Sequence, residues 1–468
     1  MRDLTHVVII GGGFSGVALA AEFLRRRARL AVTIVESGDK LGRGVAYGTP
    51  FANHLLNTRA NQMSLDADDP DHFVRWSRRR GLAAHGPEFL PRREYGEYLE
   101  ASLHELCGTE SPTRLTVHMQ AGARDVVAQG ERFEVHVEGC RPLVADAVVM
   151  ATGHPTPADP FGGSLSEDTW RYVRNPSLHN AYDPIRPTDR VLLVGTGLTA
   201  VDAVLALENA GHRGEIHAVS RHGRLPCRHR ARNESLPADL QAELFAGVAS
   251  NCVRAITATL RRVAAKAEER GAGGWQAAID ALRPVTPRIW SELCRSDRGR
   301  FMRWLRPLWD VHRHRLPPVH ASRLASLQAS GRLEVRAARL LGAEDKGDAV
   351  AVDYWSPATA KRVRERYQWV INCTGSTFAT HTVRPLERRM IERGLLLVDP
   401  LGLGYVTCDA GSAIGTRGPV DGLYVLGPAC RANFWEHTAV PELRAQAAGI
   451  ADRLLGASTH SSYAVQRA

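Results

Sequence analysis

Two runs of consecutive apolar residues, Val7-Val8-Ile9-Ile10 and Val191-Leu192-Leu193-Val194, each break off at a glycine-rich turn. Four apolar residues without alternation fit a strand covered on both faces, as in a parallel sheet. Beyond the first turn, residues 14–27 place Val17, Ala20, Ala21 and Leu24 on one side of a helix, and residues 31–35 read as the next strand. After the second turn the corresponding strand is 215–219. Each stretch is followed by three further strand-like runs. In the first these are 115–119, 132–137 and 147–150, ending in Ala151-Thr152-Gly153; in the second they are 333–337, 349–355 and 369–372, ending in Cys373-Thr374-Gly375. The runs suggest a β-meander and then a return to the parent sheet.

One architecture is therefore present twice, the second copy nested inside the first. The reading is an α/β protein of two nested Rossmann-like dinucleotide-binding domains. The first domain spans 1–183 and resumes at 371–468, and the second spans 184–370. Residues from about 224 to 318 interrupt the repeat with helical segments such as 238–245, 253–269 and 300–309, rich in Arg, His and Trp. They predict a helical insertion that either covers a site or serves as a structural or dimerising cap. A last strand, 423–427, leads through a turn at 428–438 to a helix starting near Ala439, with Val440, Leu443, Ala447 and Ile450 on one face.

The turns carry the chemistry. Gly11, Gly13 and Gly16, with Phe14 and Ser15 between them, give the spacing that lets a pyrophosphate approach a helix N-terminus. Glu36 closes the next strand about twenty residues on, where a carboxylate accepts hydrogen bonds from ribose hydroxyls and repels a 2′-phosphate. The site suits FAD, with NAD as the alternative. The second fingerprint, Gly195, Gly197, Thr199 and Ala200, is followed at its strand end by Ser220 and Arg221 and no carboxylate. A guanidinium there favours NADPH over NADH; the alternative is a solvated surface arginine.

Composition narrows the class. The 468 residues allow two or three domains, and the net charge of +10 is almost wholly arginine, lysine occurring only at 40, 266, 346 and 361. The basic residues spread throughout the chain, with denser knots at 25–27, 78–80, 221–232 and 312–315, rather than tracking one face, so nucleic acid is not expected as a partner, while anionic cofactors are. No apolar run reaches membrane-spanning length and no signal peptide is apparent, so the expectation is a cytoplasmic protein. The eight cysteines form no Cys-x-x-Cys pair and no zinc spacing, and most read as reduced, buried packing residues.

Several segments together carry a resemblance: 42–47 (GRGVAY), 54–57 (HLLN), 68–73 (DDPDHF), 309–313 (WDVHR) and 435–442 (WEHTAVPE). With the two fingerprints, the chain resembles the two-dinucleotide-binding-domain flavoproteins, the superfamily of glutathione reductase and the class B flavin monooxygenases. More closely it resembles bacterial FAD/NAD(P)-binding proteins, one characterised type of which is an FAD-dependent urate hydroxylase. The resemblance implies that Gly11, Gly13, Gly16 and Glu36 hold FAD, that Arg43 and the 42–48 loop with Asn57 lie along the flavin, and that Gly153, Gly427 and Thr438 close on it. Gly195, Gly197, Thr199 and Arg221 would take NADPH. Gly427 is followed by Pro428 where relatives carry Asp, so another group must meet the ribityl chain.

The implied activity is a monooxygenase in which NADPH reduces FAD and the reduced flavin activates O₂ for a small nitrogenous substrate. Urate, converted to 5-hydroxyisourate, is the specific expectation. His437, before the flavin-facing helix, is the first catalytic candidate, with Asn433 and Glu436 beside it. Arg228, Arg230, His312 and Arg313 are candidates for binding an electron-rich anion. The alternatives are N-hydroxylation of an amine or amino acid, a flavin reductase or oxidase, and a redox sensor without turnover. The oligomeric state is left open.

Overall fold

The computed structural model describes residues 4–82, 85–231, 234–378, 383–408 and 411–456, and these form two compact units. The first unit comprises 1–49, 58–155 and 377–468; the second comprises 50–57 and 156–376.

In the first unit the strand order is Ser412–Gly415, Gly418–Val425, Ala147–Met150, His6–Ile10, Ala31–Val35, Arg114–His118. All neighbours are parallel except the edge strand Ser412–Gly415, which runs against Gly418–Val425. The unbroken apolar strands sit at the centre, and every residue of Ala147–Met150 is buried. The helix Phe14–Arg25 follows the first glycine turn, and a separate antiparallel meander is made of Ala123–Gln129, Arg132–Val137 and Leu143–Ala145. One apolar core joins this meander to the sheet through Val8, Val126, Phe133, Val135, Val148 and Leu423.

The second unit repeats the plan. Its sheet order is Leu333–Ala337, Ile216–Ser220, Val191–Val194, Trp369–Asn372, Tyr172–Val173, all parallel, with the helix Leu198–Asn209 after the second glycine turn. Its meander is Arg339–Asp345, Val350–Ser356 and Lys361–Tyr367. The insertion is helical: Ala238–Val248, Val253–Glu269 and Gly274–Leu282 pack around Leu240, Leu244, Val263, Ala264 and Ile279.

Two expectations are corrected. Arg114–His118 and Leu333–Ala337 are not meander strands but parallel members of the main sheets, because each continues the register of its neighbour. The units divide at 155/156 and 376/377 rather than 183/184 and 370/371, since Tyr172–Val173 pairs with Trp369–Asn372 of the second sheet. The region 300–309 is helical as expected: Arg295–Arg300 passes through a π-helical turn, Phe301–Leu305, into Arg306–Arg313.

Candidate functional site

At the first turn the glycines answer to distinct constraints. Gly11 has φ +110, and a Cβ there would lie 2.3 Å from the Ala151 carbonyl oxygen, which forces glycine twice over. A Cβ on Gly16 would lie 2.0 Å from the Gly11 carbonyl oxygen, so the helix Phe14–Arg25 packs against the turn with no room for a methyl group. Gly13 differs: the nearest atom to its added Cβ is Gly44 Cα at 3.8 Å. It is also the N-cap, with no side chain capping the amides. A helix N-terminus with uncapped donors and open space above it fits a pyrophosphate. Phe14 and Ser15 are buried beneath it.

Glu36 closes Ala31–Val35, its carboxylate accepting from the Gly12 and Gly38 amides, each at 2.6 Å. The carboxylate is thereby held at the rim of the turn, where a ribose would meet it. Arg43 lies along the helix Arg92–Cys107, bonded to the Arg93 carbonyl at 3.1 Å and to Glu100 at 3.3 Å, and its buried Nε has no hydrogen-bond partner. Gly96 makes that course available, since a Cβ there would lie 2.7 Å from Arg43 Cδ. Gly153, three residues beyond the strand Ala147–Met150, takes φ +67 with no atom within 4 Å of an added Cβ.

The last strand closes on the same turn. Gly427 adopts φ +98, and a Cβ there would meet Ser15 Oγ at 2.8 Å. Its amide donates to Gln446 Oε1 at 3.0 Å. Pro428–Cys430 and Arg431–Phe434 then form two short turns, and Trp435 takes φ +57, which reverses the chain ahead of the helix Val440–Leu454. His437 is 4% exposed, and its ring stacks on Phe434 at 4.1 Å and 6°. Its Nδ1 has no hydrogen-bond partner, and burial pushes the imidazole down to about 4, against upward pulls from Gln446, Glu442 and Glu436. It is therefore neutral near pH 7, with one buried ring nitrogen left for a ligand. Glu436 is buried, Thr438 is half-buried and donates its amide to the Glu436 carbonyl at 2.7 Å, and Asn433 donates to the Thr407 carbonyl.

The second turn repeats the first at Gly195, whose φ is +121 and whose added Cβ would lie 2.3 Å from the Cys373 carbonyl oxygen. Gly197 is an uncapped N-cap with nothing within 4 Å of an added Cβ. Thr199 is half-buried in the first turn of the helix. At the strand end, Ser220 Oγ accepts from the Gly223 amide at 3.0 Å and lies 2.9 Å from Thr196 Oγ1, so this hydroxyl braces the loop. Arg221 is exposed at the end of this strand.

The insertion disposes of its cations unevenly. Arg230 pairs with Glu268 at 2.5 Å and Glu234 at 3.5 Å. Arg228 is exposed, its carbonyl accepting from Gln276 at 2.9 Å. His312 stacks on Trp275 at 5.3 Å and 13°, sits 3.5 Å from Cys227 Sγ, and is held below the usual imidazole range by burial and then by Arg315 and Arg224. Arg313 is half-buried at the end of Arg306–Arg313. Arg315, not among the candidates, is buried and pairs with Asp280 at 2.9 and 3.0 Å. Asn57 belongs to the second unit, where its carbonyl accepts from His229 at 3.0 Å. The cysteines are all free, but only Cys373 and Cys430 are buried, which corrects the expectation of mostly buried thiols. No helix among the described residues is long and apolar enough to cross a membrane, and none of their His, Cys, Asp and Glu groups forms a metal cluster.

Two uncapped helix N-termini, each behind a parallel strand and each with a meander in its own unit, define the two-dinucleotide-binding flavoprotein fold. Residues 8–155 match a family described as FAD-NAD(P)-binding. Ornithine N-hydroxylase from Kutzneria sp. 744 superposes with TM-score 0.63 at 18% identity, over 96% of this chain and 99% of that one. L-lysine 6-monooxygenase from Pseudomonas syringae gives 0.65 at 16% identity, over 96% and 98%. Thioredoxin reductase from Lactococcus lactis gives 0.51 at 11% identity, over 97% and 98%. No curated protein matches the sequence significantly.

Proposed function

We propose that the protein is an FAD-dependent, NADPH-consuming monooxygenase that hydroxylates the nitrogen of a small amine or amino acid. The observation that carries this is the pair of uncapped glycine turns, one rimmed by Glu36 and the other by the exposed Arg221. FAD at the first turn supplies the hydride acceptor and the oxygen chemistry. Gly11, Gly13 and Gly16 keep side chains out of the pyrophosphate approach, and Glu36 holds the ribose. Gly195 and Gly197 do the same for NADPH, and Arg221 meets its 2′-phosphate. His437 offers a neutral ring nitrogen in a dry setting, fit to orient a ligand rather than to neutralise an anion.

Amine hydroxylation is preferred to urate hydroxylation because two of the solved structures that share the fold over nearly their whole length act, by name, on ornithine and lysine. Urate keeps only the sequence resemblance. A disulfide reductase is disfavoured by eight free cysteines without a Cys-x-x-Cys pair. The test is aerobic NADPH oxidation with ornithine, lysine or a plain diamine, measuring hydroxylamine and peroxide together. Oxidation stimulated by one of these, with hydroxylamine formed mole for mole, is the expected result. Peroxide equal to the NADPH consumed, whatever the amine, would overturn it in favour of an oxidase.

A further inference from the structure

The short helix Pro385–Glu392 belongs to the first unit and carries no part of its fingerprint. Leu386 and Met390 bury it in the core that sheet and meander share. Its two ends are pinned to different places. Past the C-terminal end, Arg393 pairs with Asp125 of the meander at 2.7 and 3.3 Å, and Arg389 donates to the Arg124 carbonyl at 3.1 Å. The N-terminal end turns instead to Thr152, two residues beyond the strand Ala147–Met150. Arg384 Nη1 donates to the Thr152 carbonyl at 2.7 Å, and the Thr152 hydroxyl donates to Glu387 Oε1 at 3.1 Å. The same carboxylate oxygen accepts from Arg384 Nε at 2.9 Å and Nη2 at 2.5 Å. Thr152, Arg384 and Glu387 thus close a ring of hydrogen bonds within one unit.

Such a ring is a costly way to fix a helix. Glu387 is 1% exposed, and its Oε2 is buried without a hydrogen-bond partner. An apolar pair of the same volume would hold the helix as well or better, because desolvating the two charges offsets their attraction. What the ring secures is direction. A trans peptide plane carries its C=O and N–H on opposite sides. With the Thr152 carbonyl held by Arg384, the N–H of the same peptide, that of Gly153, is aimed the other way. Beside Gly153 the space is open, with no atom within 4 Å of an added Cβ. The peptide also abuts the first fingerprint: from the place of a Cβ on Gly11, the Ala151 carbonyl oxygen lies at 2.3 Å and the Thr152 nitrogen at 3.2 Å. A rotation of the Thr152–Gly153 peptide would therefore reshape the wall of the first glycine turn.

We propose that Arg384 and Glu387 are positioning residues of the first dinucleotide site. They fix the Thr152–Gly153 peptide so that the Gly153 N–H donates to an oxygen of the bound dinucleotide. Glu387 holds the guanidinium and the Thr152 hydroxyl, the guanidinium holds the Thr152 carbonyl, and the backbone delivers the donor. The inference rests on the FAD reading given above.

The test compares three proteins with wild type. Arg384→Met combined with Glu387→Leu removes the ring and leaves no buried charge unpaired. Glu387→Gln keeps an oxygen acceptor, and Arg393→Ala cuts the pin at the other end of the same helix. In flavin-free protein, amide hydrogen exchange at 152–154 should quicken in the double variant and stay near wild type in the other two. On adding FAD, the Gly153 amide should become protected in wild type. The FAD Kd should rise about tenfold in the double variant, as for one lost hydrogen bond to a charged group, and stay within about threefold in Glu387→Gln and Arg393→Ala. Unchanged exchange in the double variant, an unchanged FAD Kd, or a Gly153 amide that bound FAD leaves unprotected would overturn the proposal. A wild-type protein that takes up no FAD would sink the cofactor reading, and the flavin-free exchange would still decide whether the ring fixes the peptide. Should the double variant not fold, Arg384→Lys carries the comparison, since it leaves the carboxylate paired but replaces the fork with a point charge.

Discussion

The two nucleotide units agree at their first glycine and part at their third. Gly11 and Gly195 each face a carbonyl oxygen of a neighbouring strand end, 2.3 Å from an added Cβ, and each takes a strongly positive φ. Gly16, however, would place its Cβ 2.0 Å from the Gly11 carbonyl, whereas the corresponding Ala200 carries a methyl group and is 2% exposed. The first helix therefore sits closer to its turn than the second. The rims differ as well: Glu36 is fixed by two backbone amides, while Arg221 is exposed. A close, carboxylate-rimmed turn suits a resident cofactor lacking a 2′-phosphate. An open, guanidinium-rimmed one suits a cofactor that carries that phosphate and must leave.

The sharpest way to break this comparison is to exchange the third positions. Gly16→Ala should abolish flavin retention, read as the ratio of visible to ultraviolet absorbance, because the methyl group forces the turn apart. Ala200→Gly should cost no more than the helix propensity of one residue, about 1 kcal/mol, with NADPH binding kept. Equal tolerance at both sites would remove the packing distinction.

The next largest effect concerns His437, whose folded value of about 4 lies below the unfolded one of about 6.5. The unfolded chain then takes the proton first, so stability falls as pH drops from about 6.5 towards 4 and is unaffected above that window. The loss reaches about 3 kcal/mol. His437→Gln should flatten the corresponding part of the denaturation profile; an unchanged slope would show that the imidazole is not buried neutral. Other histidines pushed down by burial, His212 and His217 among them, slope the same way, so the difference between proteins is the readout.

Arg221→Ala should weaken NADPH about tenfold or more and leave NADH nearly unchanged, since a charge-assisted bond to a phosphate is lost. An unaltered NADPH/NADH ratio would take Arg221 out of the site. Smallest is Arg230→Ala: with its charge already met by Glu268 and Glu234, substrate KM should stay within about twofold and stability within about 1 kcal/mol.

Much of the fold was legible because buried parallel strands announce themselves as unbroken apolar runs; Val7–Ile10 and Val191–Val194 lie at the centres of their sheets. The strand Lys361–Tyr367 was missed, since every other residue faces solvent and most are charged. Arg114–His118 was found but misassigned, because local pattern does not say which sheet a strand joins. At the site, the glycines could be read because their spacing is itself the geometry. The fate of Arg230, the burial of Arg315 and the anchoring of Thr152 could not, since each depends on a partner 35 or more residues away in the chain.

The central claim is that one chain holds FAD at its first turn and draws electrons from NADPH at its second. Anaerobic titration of the purified protein with NADPH, and separately with NADH, followed by flavin absorbance, tests this most directly. The account predicts about one FAD per chain, bleached by one equivalent of NADPH and much more slowly by NADH. A colourless protein that takes up no FAD, or a bound flavin that NADPH leaves oxidised, would contradict it.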